Sequence, residues 1–256
     1  MRGFGIDTSV PSDVATQVAI RAEAAGYGSF WVNGSPHEGA LDILEAAAMS
    51  TGMDLGVGVF NLMKLSASEI VDEIRRRDLP EDRLWLGMGS PRRPGALAEV
   101  REAVRLLGEQ TEVRVTTAAV GPKMTALAGE ISDAVIFTWF IDRDVERANP
   151  ILAEAATAAN RAVPTIVSYI RCALLPQAAA GVAKRAEAYG AIPHYQAVFE
   201  RNGMNAADTV VTGSSRDELL PAIKREASVL DHPVIRAIPA QDTVESIAEL
   251  VDACAP

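Results

Sequence analysis

The residues with the most chemical promise lie in three glycine-bearing segments. Gly87-Met88-Gly89-Ser90-Pro91 follows an apolar run and precedes Arg92 and Arg93. Glycines let a ligand approach the backbone closely, and exposed amides with the Ser90 hydroxyl suit anionic oxygens. The two arginines would favour a phosphate. A plain turn between strand and helix accounts for the same residues. The spacing is not a Walker loop, which needs Gly-Lys-Ser/Thr, and a dinucleotide GxGxxG is absent. The second segment is Thr116-Thr117-Ala118-Ala119-Val120-Gly121-Pro122-Lys123-Met124. Its small residues leave amides exposed at a helix N-terminus, where the dipole attracts an anion. A tight loop with a solvated Lys123 is the plainer reading. The third is Leu55-Gly56-Val57-Gly58-Val59-Phe60-Asn61. Two glycines in an apolar strand mark either a bulge against which a flat ring lies or a crowded interior that needs small residues.

Single side chains add to these. Trp31, Asn33, His37 and Glu38 cluster in sequence after another apolar run. Asn33 can hydrogen-bond a substrate or cofactor, and His37 or Glu38 can move protons. A solvated loop histidine is the competing account of His37. Trp139 and Phe140 offer faces for an aromatic ligand, or ordinary rim packing. His194 and Tyr195 sit far along the chain in a helical stretch, where packing is the simpler role.

Other chemistries are disfavoured. The chain carries 24 Lys+Arg against 34 Asp+Glu in 256 residues, a net charge of −10. Non-specific nucleic-acid binding needs a basic face, and an anionic membrane surface repels such a protein. Cys172 and Cys254 form no CxxC pair, and His37, His194 and His232 stand singly, so zinc-ribbon and histidine-built metal sites are not expected. No signal-peptide pattern or membrane-length apolar run occurs, and a cytoplasmic location is expected.

The elements that must hold these residues alternate regularly. Apolar runs at 3–7, 29–33, 55–60, 83–88, 112–117, 134–139, 164–174 and 233–238 read as eight strands. Amphipathic stretches follow each. Ser12 is a cap candidate for a first helix. Leu97, Val100, Val104 and Leu107 form one stripe of a helix ending at Gly108. Pro122 suits the first turn of a helix through Ile131. Asn149-Pro150 opens a helix to about Ala162, helical sequence fills roughly 178–189 and 193–202, and Ser214 with Asp217 makes a capping-box-like start. Continuous apolar strands suit a parallel sheet covered on both faces. Eight such units in one chain of this length predict a single α/β domain over residues 1–256, a (β/α)8 TIM barrel. A doubly wound open sheet is the rival. Barrel chemistry gathers at the C-terminal strand ends, where all three glycine segments reach.

These segments resemble the bacterial luciferase-like superfamily, and within it the F420-dependent oxidoreductases. Val120–Trp139, VGPKMTALAGEISDAVIFTW, is similar to the family's Gly-Pro-Lys-Met…Ala-Gly-Glu…Ala-Asp-Gly-Val segment. Ala19–Val32 resembles its Ala-Glu-x-x-Gly-Phe-Asp-x-x-Trp segment, and LGVGVFN and LWLGMGSP resemble its third- and fourth-strand signatures. The resemblance implies the same barrel, here with shortened insertion loops, and an F420 deazaflavin, or alternatively FMN, at the strand C-termini. In the family a third-strand bulge often holds a non-prolyl cis peptide behind the ring; here that would be Gly58–Val59. The cofactor phosphate would lie near Ala119, Val120, Gly121 and Pro122, with Gly89 and Ser90 beside it. Asn33-Gly34 replaces the acidic residue and histidine of many deazaflavin relatives, Lys64-Leu65-Ser66 replaces Arg-His-Pro, and Ser90-Pro91 stands where some relatives carry Glu.

The resemblance implies an F420-dependent oxidoreductase that moves a hydride to or from a small organic substrate. Asn33 and His37 are its catalytic candidates. An FMN-dependent luciferase-like monooxygenase and a non-catalytic flavin- or deazaflavin-binding protein are the alternatives. A small-molecule substrate is the expected partner, with no nucleic acid and no membrane, and a homodimer is common in the family.

Overall fold

The computed structural model describes residues 1–91 and 93–256. Strands β1 (Gly3–Ile6), β2 (Ser29–Val32), β3 (Asp54–Asn61), β4 (Leu84–Gly89), β5 (Arg114–Ala118) and β6 (Ala134–Phe137) pair in sequence order, all parallel. The long strand β7 (Thr165–Leu174) follows, then a short β8 (Val211–Gly213) and β9 (His232–Ala237). β6 pairs with β7, β7 with β9, and β9 with β1, which closes an eight-stranded parallel barrel. β8 pairs with Cys172–Leu174, the far end of β7, outside that ring. Its three residues are too few for a periodic signal, so the sequence did not announce it.

Helices α1 (Ser12–Ala24), α2 (His37–Ser50), α3 (Ala67–Arg76), α4 (Ala96–Gln110), α5 (Pro122–Ile131) and α6 (Asp142–Ala158) follow the first six strands in turn. α7 (Ala179–Gly190) and α8 (Pro193–Asn202) lie between β7 and β8, α9 (Arg216–Ala227) precedes β9, and α10 (Val244–Ala253) closes the chain. This is the (β/α)8 TIM barrel. Each strand of the ring is buried by the interior on one side and the helices on the other, which is why apolar runs and not alternation marked them.

Local chemistry sets several boundaries. Ser66 caps α3 in a reciprocal pair with Glu69, at 3.3 Å to the Glu69 amide and 2.8 Å back to the Ser66 amide. Thr243 caps α10 through the Ser246 amide at 3.3 Å. Other expectations shift. Pro11, not Ser12, occupies the cap position of α1. α4 runs past Gly108 to Gln110, and Leu97 is exposed while Ala96 and Ala103 complete the buried stripe. Ser215 takes the cap position of α9, while the Ser214 amide and hydroxyl both reach Glu218. α6 starts two turns before Pro150, which lies inside it. The buried Asp144 carboxylate sets that start: it accepts from the Ile141 amide at 3.3 Å, Arg147 and Arg201 at 2.7 Å each, and Asn202 at 2.8 Å. Pro150 removes one helical hydrogen bond without displacing this anchor.

The barrel interior divides into layers. Trp31, Trp85, Ile136, Val167, Tyr169 and Val234 fill the lower and middle part. Gly56 makes that possible, because a Cβ there would run into the Trp31 ring. The crowding explanation for this glycine is therefore correct. At the strand starts, Trp31 Nε1 donates to Ser29 Oγ at 2.8 Å, and Ser29 Oγ and His232 Nε2 share a hydrogen bond, also at 2.8 Å. Trp85 Nε1 donates to Asp54 at 2.9 Å, and the Arg114 guanidinium lies 5.0 Å over the Trp85 ring. This end is a polar plug that serves stability; the open chemistry lies at the other end.

Candidate functional site

At the C-terminal mouth, β3 carries the decisive irregularity. Val57 pairs with Leu86 and Phe60 with Met88, so three steps of β3 span two of β4. The extra residue falls in Gly58-Val59, whose peptide bond is cis. A Cβ on Gly58 would strike the Tyr169 hydroxyl and come within 2.6 Å of Ile136 Cδ1. Val59 lies against β4: a Cβ on Gly87 would meet Val59 Cγ1 at 2.5 Å, and one on Gly89 would meet Val59 Cγ2 at 2.9 Å. The same point on Gly89 lies 3.5 Å from Ala118 Cβ. The fold thus brings Gly58, Val59 and Gly89 together beside the end of β5.

From that end the chain passes into α5. Ala119 is buried among Ala128, Val135 and Leu152, and its amide donates to the Ile136 carbonyl at 3.2 Å. It anchors the loop and does not face the mouth. Val120 and Gly121 are half-buried and Pro122 is exposed. The Gly121 carbonyl accepts from the Met124 and Thr125 amides at 3.1 and 3.0 Å, while the Val120 and Gly121 amides meet no acceptor among the described residues. A Cβ on Gly121 would touch nothing within 4 Å, so packing does not demand glycine here. An open, uncapped helix N-terminus with free amides is an anion seat. Ser90 is half-buried nearby in chain order, its hydroxyl 3.5 Å from the Pro91 carbonyl. Arg92 lies outside the described residues. Arg93 is paired with Glu99 at 2.5 Å and is not free for a phosphate.

Asn33 and His37 part company. Asn33 is half-buried in a polar cluster, accepting from Arg236 Nε at 3.1 Å and lying 3.4 Å from Asp7 Oδ2. His37 begins α2, and its Nε2 is 3.5 Å from Glu38. No hydrogen bond joins His37 to Asn33 among the described residues. Trp139 does not offer a free face: the Arg171 guanidinium lies 3.6 Å over its ring, and Tyr189 and Phe199 press against it. Phe140 stacks on Phe137 at 4.9 Å. His194 and Tyr195 pack together, with Tyr195 against Tyr189.

The cluster around Asn33 contains residues that no motif revealed. Asp7 Oδ2 accepts from Arg236 at 2.9 Å and from Arg185 at 2.8 Å. Burial would raise the Asp7 carboxyl, but the two guanidiniums outweigh it and hold it below the usual range. Burial lowers Arg236 in turn, despite Asp7. Arg185 belongs to α7, so this helix reaches across the mouth to β1, while Tyr189 on the same helix meets Trp139 on the β6 side. The Tyr169 hydroxyl lies 3.4 Å from both the Val32 and Gly58 carbonyls, and burial pushes its pKa up. A signal did exist in the sequence: Arg171 and Arg236 each interrupt an apolar strand, and a charge in such a run needs a partner or a ligand.

No protein-family profile matches the chain, and no curated protein does. Solved structures do. An F420-dependent secondary alcohol dehydrogenase, seen with an F420-acetone adduct, superposes with a TM-score of 0.78 at 16% identity, over 99% of this chain and 97% of that one. A coenzyme F420-dependent tetrahydromethanopterin reductase from Methanopyrus kandleri gives 0.75 at 17% identity, over 98% and 97%. The EDTA monooxygenase of Chelativorans sp. BNC1 gives 0.61 at 9% identity, over 99% and 94%. The likeness is one of fold, a (β/α)8 barrel. In this barrel the third-strand bulge, the β4 glycines and the open N-terminus of α5 adjoin one mouth. No described helix is long and apolar enough to cross a bilayer.

Proposed function

We propose that this protein is an F420-dependent oxidoreductase that transfers a hydride between the deazaflavin and a small organic substrate in the cytoplasm. The observation that carries this reading is the open cradle at Gly121, where free amides and unfilled space adjoin the Gly58-Val59 bulge through Gly89 and Ala118. A phosphorylated flat-ring cofactor fits that pairing of an anion seat with an apolar shelf. The two structural neighbours with TM-scores of 0.78 and 0.75 are both described as F420-dependent, which supports the deazaflavin over FMN.

In this reading the Val120 and Gly121 amides, with Pro122 fixing the first turn of α5, hold the phosphate. Gly89 and Ser90 border it, and Ala119 fixes the loop from below. Gly58 and Val59 back the ring and leave its other face to the substrate. The bound deazaflavin supplies the hydride chemistry. Asn33 hydrogen-bonds the substrate, with Arg236 behind it fixing the amide orientation. His37 is the proposed proton carrier. α7, tied down by Arg185 and Tyr189, screens this side of the mouth from water.

The test is titration of the purified protein with F420 and, separately, FMN, followed by fluorescence polarisation. Selective F420 binding at micromolar or tighter affinity is expected, followed by substrate-dependent bleaching of the cofactor absorbance. Selective FMN binding with oxygen consumption moves the protein to the monooxygenase reading. Retained binding without turnover over a broad substrate panel leaves a carrier, and binding of neither cofactor overturns the proposal.

A further inference from the structure

Arg171 is a buried cation without a carboxylate. Only 8% of the residue is exposed, yet no Asp or Glu contacts it among the described residues. One of its five N–H donors is used, on Thr138 Oγ1 at 2.7 Å. Its flat face is held instead by aromatic rings, Trp139 at 3.6 Å and Tyr189 at 5.8 Å. Cation–π contacts hold the plane and leave the edge, where the N–H groups point, unoccupied.

The neighbourhood sharpens this. Arg171 and Arg236 are register partners on β7 and β9. On β7 it shares the inward parity of Tyr169, whose hydroxyl reaches Gly58 and Val32 across the barrel, so it stands one layer higher at the mouth. Arg185 and Arg236 share one carboxylate, Asp7, and Arg171, the register neighbour of Arg236, adds a third guanidinium with no carboxylate of its own among the described residues. The mouth is locally positive in a chain of net charge −10. Burial pushes the Arg171 pKa down to about 10, still charged at neutral pH. A largely buried cation fixed in orientation, with free donors beside like charge, is suited to an anion.

The geometry points to Arg171 as the anchor for an anionic group, a carboxylate or phosphate, on the small-molecule substrate. The anion would lie along the guanidinium edge, and the remainder of the substrate would extend towards Asn33 and the Gly58-Val59 shelf. This rests on the reading of the mouth as the substrate site, but it needs no bound cofactor.

Isothermal calorimetry on the cofactor-free protein tests it with pyruvate, inorganic phosphate and acetone, the last being pyruvate's uncharged counterpart. Saturable millimolar or tighter binding of at least one anion is expected, with none for acetone; which anion loses affinity in Arg171→Met tells carboxylate from phosphate at this site. Arg171→Met should weaken that binding about tenfold or more, and Arg171→Lys should weaken it less, because a charge without the planar fork remains. Gly121→Leu, which alters only the cofactor cradle, should leave pyruvate binding intact; phosphate binding that it abolishes belongs to the α5 amides and not to Arg171. Anion binding that survives Gly121→Leu while neither F420 nor FMN binds the wild type would sink the cofactor reading alone. No saturable anion binding to the wild type, equal binding of acetone, or unchanged affinity in Arg171→Met overturns the assignment.

Discussion

Arg236 and Asp7, 229 residues apart in sequence, meet at 2.9 Å at the mouth of the barrel and tie its last strand to its first. Their side chains are 6% and 17% exposed. The contact has two consequences: it closes the ring of strands at its functional end, and it orients Asn33 through Arg236 Nε.

Replacing Asp7 with Asn leaves Arg236 and Arg185 without their counter-charge in a largely dry setting. The expected loss is about 3–5 kcal/mol in urea unfolding, the usual cost of removing one partner of a buried pair. The Asp7 carboxyl is held below its ordinary 3.8, so its contribution is complete above that value and is lost as pH falls through the lower folded-state value. Asp7→Asn should therefore flatten the acid limb of the stability profile. An unchanged limb would show that other carboxylates govern acid unfolding.

His232 gives a second, separable pH effect. Burial lowers its pKa from 6.5 to about 4. The unfolded chain binds a proton that the folded chain refuses, so stability falls as pH drops from 6.5 towards about 4 and levels off below. The shift corresponds to roughly 3 kcal/mol at the bottom of that window. His232→Gln should remove this slope while leaving Asp7's effect at lower pH. Chemical denaturation at several pH values reads both.

Gly58→Ala places a methyl group against the Tyr169 ring and Ile136. Overpacking of this kind costs about 1–3 kcal/mol. Because the Tyr169 hydroxyl is the nearest obstacle, adding Tyr169→Phe should recover part of the loss. Additive losses in the double variant would place the clash elsewhere.

A Cβ on Gly121 meets no neighbour within 4 Å, so the stability of Gly121→Leu should stay within about 0.5 kcal/mol of wild type. Affinity for the phosphorylated cofactor should nonetheless drop about tenfold or more, since the side chain enters the space above the free amides. Equal affinity with equal stability would remove the phosphate from this loop.

The sequence by itself determined the eight barrel strands and most helices. Parallel strands buried on both faces read as continuous apolar runs, and Pro122 and Ser66 mark helix starts through local backbone chemistry. It also supplied the glycine-bearing segments at the mouth, because a missing Cβ is written in the residue type. Only the tertiary structure decided what each glycine is for: Gly56 makes room for Trp31, whereas Gly121 makes room for nothing in the protein. The start of α6 escaped the sequence because Asp144 draws its partners from α8 as well as its own turn. The mouth cluster escaped it for the same reason. Asp7, Arg185 and Arg236 lie directly after β1, on α7 and on β9, and charges so far apart along the chain have no local pattern until barrel closure brings them within hydrogen-bond reach.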